Sequence, residues 1–123
     1  GARDTVPAEH SDRTLYVHNA SVTLMRTSVE ECRELGRRIA ERLNTSNSGA
    51  GITVFIPEAG FSGIDVQGQA FFDEEADAAL IEELVAALDP SIPVVRRAVP
   101  INDRAFAIEM AETLHAAIQN NAK

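Results

Sequence analysis

The feature that most constrains this chain is a regular alternation of short apolar runs with longer amphipathic segments. Three runs rich in β-branched and aromatic residues predict strands, at 14–18, 52–56 and 92–99. Three segments that repeat apolar side chains every three or four positions predict helices, at 28–44, 74–88 and 104–119. The order β-α-β-α-β-α is typical of parallel strands joined by helical crossovers. We therefore expect a three-layer α/β fold with a mainly parallel, Rossmann-like sheet.

The chain length allows one domain with a modest core, since 123 residues is ordinary for a single domain. Residues 1–13 are polar and contain a proline, so they predict an N-terminal loop or the remnant of a preceding segment. Residues 14–120 are then a single α/β domain, which we expect to be part of a larger, two-lobed protein.

The charge balance is acidic, with 19 Asp and Glu against 11 Lys and Arg. This disfavours nucleic acid as a partner, because duplex binding depends on Lys and Arg that neutralise phosphates. It also disfavours a basic helix at a membrane surface, and no apolar run is long enough to span a bilayer. The lone cysteine, Cys32, fits a reducing compartment. We expect a cytoplasmic protein that binds neither nucleic acid nor membranes.

The helical segments have clear start signals and apolar stripes. Ser28 with Glu31, and Thr27 with Glu30, form capping boxes at the first helix. Its expected buried stripe consists of Cys32, Leu35, Ile39 and Leu43. The second stripe is Leu80, Leu84 and Leu88, and the third is Phe106, Met110, Leu114 and Ile118. Each stripe predicts one face packed against the rest of the domain.

The polar residues concentrate where the predicted strands end. These places are His18-Asn19, residues 57–60 and residues 99–103, and each leads into a capped helix. The opposite connections, 45–51 and 89–91, are short and plain. Ligands of open α/β sheets bind outside the carboxyl ends of the strands. We expect a binding site at this end of the sheet.

An anion pocket is the strongest candidate there. Arg26, Thr27 and Ser28 combine a guanidinium and two hydroxyls with the free N–H groups of a helix start, which suits phosphate or carboxylate. The alternative is an ordinary capping box beside a surface arginine.

The loop after the second strand supplies further candidates, namely Gly60, Ser62, Asp65 and Gly68. Its glycines allow backbone to approach a ligand. The loop has neither the GxSxG spacing of a nucleophile elbow nor the Gly-Lys-Ser/Thr of a Walker loop. The alternative is a packed turn without a ligand.

Other polar residues at the strand ends have supporting roles. Asp73, Asn102 and Asp103 are most simply helix caps. His18, beside Asn19, is the one histidine that we consider for acid–base chemistry. His10, His18 and His115 lack the spacing of a metal site, so we predict none.

Three motifs together resemble the C-terminal part of the tomato mosaic virus resistance protein-like family. They are HN followed by TLMRT, then P-x-x-G-x-S-x-x-D-x-x-G-x-x-F-x-D, and IND-x-AF. The resemblance implies a two-lobed protein with an ATP-binding domain, and hence ATP with Mg²⁺ as cofactor. The motifs match here at His18, Asn19, Arg26, Thr27, Gly60, Ser62, Asp65, Gly68, Asp73, Asn102 and Asp103. Ala59 and Pro100 depart from the family pattern, which commonly has glycine and histidine there.

Three functions remain open from these observations. The first is a binding module for a nucleotide or another phosphorylated or anionic small ligand at the carboxyl ends of the strands. The second is a hydrolase- or lyase-type enzyme with Asp65 or His18 as the acid–base group. The third is a structural, oligomerisation or interaction domain, with the preceding lobe or another copy as partner.

Overall fold

A computed structural model describes residues 1–47 and 51–121 and has an α/β fold, as the alternation predicts. Two short 3-10 turns, Arg3–Thr5 and Ala8–His10, precede the first strand. The strands are β1 (Leu15–Asn19), β2 (Val22–Met25), β3 (Val54–Pro57) and β4 (Val94–Arg97). The helices are α1 (Val29–Ser46), α2 (Glu74–Ala87) and α3 (Arg104–Asn121). Part of the predicted 45–51 connection, residues 48–50, lies outside the described residues.

The predicted three-stranded parallel sheet is wrong in its first strand. β1 pairs with β2 as an antiparallel hairpin, and β3 pairs with β4 in parallel. The segment after β1, predicted as a connection, turns back at once: the Asn19 side chain accepts hydrogen bonds from the Ser21 N–H and hydroxyl at 2.9 and 3.1 Å. So short a link allows only an antiparallel neighbour. A full Rossmann-like order is therefore not present in the part of the chain that the structure describes.

Helices lie on both faces of the parallel pair. Successive side chains of a strand point to opposite faces, so neighbouring residues of β3 contact different helices. Ile56 packs in a core of buried residues with α1 and α2; the other buried members are Ala40, Ile81, Leu84, Leu88 and Ile92. On the other face, the ring of Phe55 meets Phe106 of α3 edge to face at 6.0 Å. The domain core thus lies between the parallel pair and the α1–α2 pair.

The buried stripe of α1 differs from the expected one. Leu35 and Ile39 are exposed, whereas Cys32, Gly36 and Ala40 are buried. A Cβ atom on Gly36 would lie 2.5 Å from the carbonyl oxygen of Leu80 in α2. The small residues bring α1 and α2 into close contact, and Leu35 and Ile39 lie outside this contact. Leu43 packs against the core as predicted.

The caps predicted at Ser28, Asp73 and Asp103 are confirmed, whereas the predicted capping box of Thr27 with Glu30 and the predicted cap at Asn102 are not formed, because Ser28 and Asp103 hold those positions. Ser28 and Glu31 form both bonds of a capping box, and Arg13 holds Glu31 at 2.7 Å. The carboxylate of Asp73 accepts from the Ala76 N–H at 3.0 Å, and that of Asp103 from the Phe106 N–H at 2.9 Å. These bonds satisfy orphan N–H groups of the first turns. No helix in residues 1–47 and 51–121 is long and apolar enough to cross a membrane.

Candidate functional site

The loops after β3 and β4 meet at the carboxyl end of the parallel pair. Backbone bonding continues beyond the strands, from the Ala59 N–H to the Val99 carbonyl at 3.2 Å and from the Ile101 N–H to the Gly60 carbonyl at 3.0 Å. The Gly63 backbone faces the Asn102 amide, since a Cβ atom there would lie 3.7 Å from its nitrogen. The predicted meeting of these two strand ends therefore occurs.

The loop from Gly60 to Phe72 is packed on itself. The Asp65 N–H donates to the Ser62 carbonyl at 3.1 Å, and the Phe71 N–H donates to the Ile64 carbonyl at 2.8 Å. Gly60 has φ of +144°, and a Cβ atom would overlap the Asp65 carbonyl oxygen. Only glycine fits such a turn without strain. These contacts within the loop hold Asp65 in a fixed position.

Arg26 is the centre of a buried charge cluster that links the hairpin to α2. Its guanidinium donates to Asp65 Oδ1 at 3.2 Å and to Asp77 Oδ1 at 2.6 Å. It also donates to the Phe71 carbonyl at 2.9 Å and to Thr27 Oγ1 at 3.0 Å. The side chains of Arg26, Asp65 and Asp77 are 11%, 5% and 8% exposed. The guanidinium is thus already bonded to groups of the protein itself.

The cluster carries two carboxylates for one guanidinium, which sets its protonation. Burial raises the pKa of Asp77 to about 6, and the negative charge of Asp65 adds to the rise while Arg26 opposes it. Desolvation lowers the pKa of Arg26, but the hydrogen bond to Asp77 and the charges of Asp65 and Asp77 outweigh it, so this pKa is raised. Arg26 stays charged, and the pKa of Asp77 lies close to neutral pH.

Two cavities border the cluster. One of about 230 Å³ is lined by Met25, Arg26, Thr27, Phe61, Ser62, Asp65 and Phe71. Another of about 320 Å³ is lined by Asp77 and by further α2 residues, together with Glu58, Ala59, Gln67, Phe72 and Arg96. The second has an acidic wall, because Glu74, Asp77 and Glu82 of α2 line it beside Glu58. We name the first the Arg26 cavity and the second the Asp77 cavity.

The structure brings together four of the predicted site residues, Arg26, Thr27, Ser62 and Asp65, around the Arg26 cavity. Ser28 is not among the lining residues, because its hydroxyl and its N–H are both bonded to Glu31. Asp73 and Asp103 cap helices. Gly68 has φ of +87°, and a Cβ atom there would meet no other atom within 4 Å, so this glycine serves the turn alone.

His18 and Asn19 belong to the hairpin and line neither cavity. Asn19 forms the hairpin turn, and His18 is exposed on β1 with its ring 6.4 Å from that of Tyr16. The prediction that both lie at the end of a parallel strand is wrong, because the antiparallel pairing of β1 removes them from that position.

Asp77 is the functional candidate that sequence reasoning missed. A signal was present: Asp77 lies four residues before Ile81 and seven before Leu84, on the buried face of α2. A carboxylate within an apolar stripe needs a partner, because a buried charge is otherwise costly. Within residues 1–47 and 51–121, no group of three His, Cys, Asp or Glu side chains is placed to hold a metal ion.

Comparison with known proteins places the chain among a set of longer relatives. A protein of Rhizobium meliloti named as UPF0261 is 45% identical over 108 residues, which cover 86% of this chain and 27% of the relative. A UPF0261 protein of Clostridium tetani is 43% identical over 115 residues, covering 93% of this chain and 28% of the relative. The chain therefore spans little more than a quarter of the length of these relatives.

The expected likeness to the tomato resistance protein is present at lower identity. The tomato mosaic virus resistance protein Tm-1(GCR237) of Solanum lycopersicum is 36% identical over 115 residues, 92% of this chain and 15% of that protein. ATP binding does not follow from this likeness, and it stays a prediction. The family model for the C-terminal domain of the uncharacterised protein family UPF0261 matches residues 1–118. This chain accordingly belongs to the UPF0261 family, as its C-terminal domain.

Proposed function

We propose that this domain binds a small anionic ligand, such as a phosphoryl or carboxyl group, in the Arg26 cavity. The observation that carries the proposal is the meeting of Arg26 and Thr27, at the end of the hairpin, with Ser62 and Asp65, from the loop after β3, around one cavity. Residues far apart in sequence converge there at the carboxyl end of the parallel pair, where α/β folds bind ligands.

Hydrogen-bond donors around this cavity suit an anion. Ser62, which lines the cavity, has a hydroxyl and an N–H group that bond to no other group of the described residues. The N–H groups of Gly63 and Ile64, the next two residues of the loop, are likewise unbonded among those residues. Successive free N–H groups in a turn attract anionic oxygens. Arg26 is fixed in the cavity wall by two carboxylates, whose charges exceed its own while both are ionised.

The cavity volume limits the ligand to a small group. About 230 Å³ is below the ~300–1,000 Å³ that is usual for whole drug-sized ligands. For ATP with Mg²⁺, the cofactor that the family resemblance implies, the residues present fit a phosphate group. Asp65 alone among the lining residues offers a carboxylate for a metal ion, so the phosphates and water would have to supply its other ligands.

The charge of the cluster makes ligand binding depend on pH. When Asp77 is protonated, the cluster of Arg26, Asp65 and Asp77 is neutral instead of singly negative. We therefore expect an anion of constant charge, such as sulfate, to bind more tightly as the pH falls from 7 through about 6.

The test is calorimetry of the chain with inorganic phosphate, sulfate, ADP and ATP with Mg²⁺, for Ser62→Ala beside a control. Ser62 makes no side-chain bond to the described residues, so its loss leaves stability unchanged and weakens phosphate binding by about 0.5–1.5 kcal/mol. Ser46→Ala is the control, because Ser46 is exposed at the far end of α1. Equal affinities of both variants for every anion, or no binding by the unmodified chain, would refute the proposal.

An acid–base enzyme is a second candidate, favoured by the position of Asp77. Asp77 lines the Asp77 cavity, and its pKa is near that of effective general acids and bases at neutral pH. We assign the role to Asp77, since His18 lies on the hairpin. Both carboxylate oxygens of Asp65 accept hydrogen bonds, from Arg26 and the Phe61 N–H, whereas among the described residues Asp77 accepts a hydrogen bond at Oδ1 alone. Hydrolysis of p-nitrophenyl phosphate and acetate that falls in Asp77→Asn, but persists in Glu82→Gln, would support it; equal rates would exclude it.

A further inference from the structure

Helix α3 carries an apolar stripe that the domain covers at one end only. Phe106, Met110, Leu114 and Ile118 follow one another at four-residue spacing. Phe106 is 2% exposed, but Leu114 is 62% exposed and Ile118 59%. A helix stripe of this kind normally faces a core along its whole length. The carboxyl-terminal half of the stripe therefore lacks the partner that its sequence pattern predicts.

An apolar cavity adjoins the uncovered half of the stripe. It has a volume of about 310 Å³ and lies between α3 and the start of β3. Ile52 and Phe55 line one side, and Met110, Leu114 and Ala117 line the other. Leu114 is both part of the cavity wall and exposed, so the cavity opens beside it. A large apolar side chain from outside the domain would fill this space and cover Leu114.

The parallel pair next to this cavity is incomplete as a sheet. In residues 1–47 and 51–121, β3 and β4 pair only with each other, so each keeps one unpaired edge. Parallel strands are normally found in larger sheets that are covered on both faces, and two strands alone are marginally stable. An unpaired edge readily accepts another strand.

We propose that the exposed half of the α3 stripe and the adjoining open edge of the sheet form the surface on which the amino-terminal part of a longer UPF0261 polypeptide docks. The relatives are more than three times as long as the segment that this chain matches, and the family model that matches the chain is that of a C-terminal domain. A covalently linked segment is present at high effective concentration, which favours it over a second copy of the domain. The docking segment supplies an apolar side chain to the cavity and a strand to the sheet.

Footprinting by carbene labelling tests this in two samples, the 123-residue chain and the complete polypeptide encoded by the gene. We expect Leu114 and Ile118 to be labelled in the short chain and several-fold less in the complete polypeptide. Ile108 is the internal control, since it is 45% exposed, does not line the cavity and lies about 120° around α3 from Leu114. Its labelling should be equal in both samples.

A pair of variants gives an independent measurement. Leu114→Glu leaves the melting temperature of the short chain unchanged and lowers that of the complete polypeptide, whereas Gln119→Glu, on the exposed side of α3, changes neither. Equal labelling of Leu114 in both samples would overturn the proposal, as would a gene that encodes no amino-terminal part. Protection of Leu114 in the short chain that rises with concentration would also overturn it, because the partner would then be a second copy.

Discussion

Helices α2 and α3 look alike in sequence but are held very differently. Each begins at an aspartate cap and repeats apolar residues along one face. Five residues of α2 are buried, whereas α3 buries Phe106 alone among its described residues. The difference comes from the partner: α2 packs on α1 at the small residues Gly36 and Ala40, whereas α3 packs on the short β3–β4 pair. A periodic stripe predicts that a face can be buried, but a complementary surface decides whether it is.

The ion pairs of the two helices also differ in burial. Asp77 joins α2 to the hairpin through Arg26, with all three side chains of the cluster largely buried. Glu109 joins α3 to β4 through Arg97, and both of these side chains are exposed, at 37% and 48%. Buried pairs are costly to break and exposed pairs contribute little. Four comparisons of stability, each between two proteins, test whether α2 is held more firmly than α3.

The largest expected effect is that of Arg26→Ala. It leaves Asp65 and Asp77 buried without their cation, so we expect the free energy of unfolding at pH 7 to fall by about 3–5 kcal/mol. Arg97→Ala removes the exposed pair with Glu109 and should leave urea unfolding unchanged within error. Equal losses in the two variants would show that the two helices are held alike.

Leucine truncation gives the next largest effect. Leu84 is 5% exposed in the α1–α2 core, so Leu84→Ala should cost about 2–5 kcal/mol through lost contacts and a cavity. Leu114→Ala, at 62% exposure, should cost less than about 0.5 kcal/mol in the same chain. Urea unfolding of both variants measures the contrast directly. A costly Leu114→Ala in the monomeric chain would contradict the uncovered stripe of α3.

Gly36→Ala tests the close approach of α1 and α2. The added methyl group would meet the Leu80 carbonyl oxygen at 2.5 Å and the Leu84 nitrogen at 3.0 Å, neither of which can move without shifting α2. We expect a loss of about 1–3 kcal/mol from overpacking, despite the better helix propensity of alanine. Gly63→Ala is the control, since its nearest neighbour is the Asn102 amide nitrogen at 3.7 Å. A stabilised Gly36→Ala variant would mean that the helices are farther apart.

The pH dependence of stability isolates Asp77. Its pKa in the folded state, about 6, is above the ordinary 3.8, so its contribution to stability is complete below pH 3.8 and is lost as pH rises through about 6. Asp77→Asn removes this titration. We expect the variant to gain about 1–3 kcal/mol relative to the parent between about pH 4 and 7.5 in urea unfolding. Parallel curves for the two proteins would show that Asp77 has an ordinary pKa.

The sequence allowed the local structure to be predicted well. The apolar periods located α1, α2, α3, β3 and β4, and the caps at Ser28, Asp73 and Asp103 marked the helix starts. These features depend on residues within one or two turns of each other, so their physical causes can be read from neighbouring positions. The contact between Gly60 and Ile101 beyond the strand ends was predictable for a related reason, because loops that follow parallel strands meet at one end of a sheet.

Tertiary structure decided the pairing of β1, the burial of the α1 stripe and the partners of Arg26. The local sequence pattern of a strand does not specify parallel or antiparallel pairing. The turn at Asn19 makes β1 and β2 an antiparallel hairpin. Glycine has a low helix propensity, so Gly36 looks unfavourable within a helix. In the structure, its close contact with Leu80 selects the face of α1 that is buried. Arg26 bonds to Asp65 and Asp77, 39 and 51 residues away. Contacts over such distances depend on how the elements pack, so no local pattern specifies them.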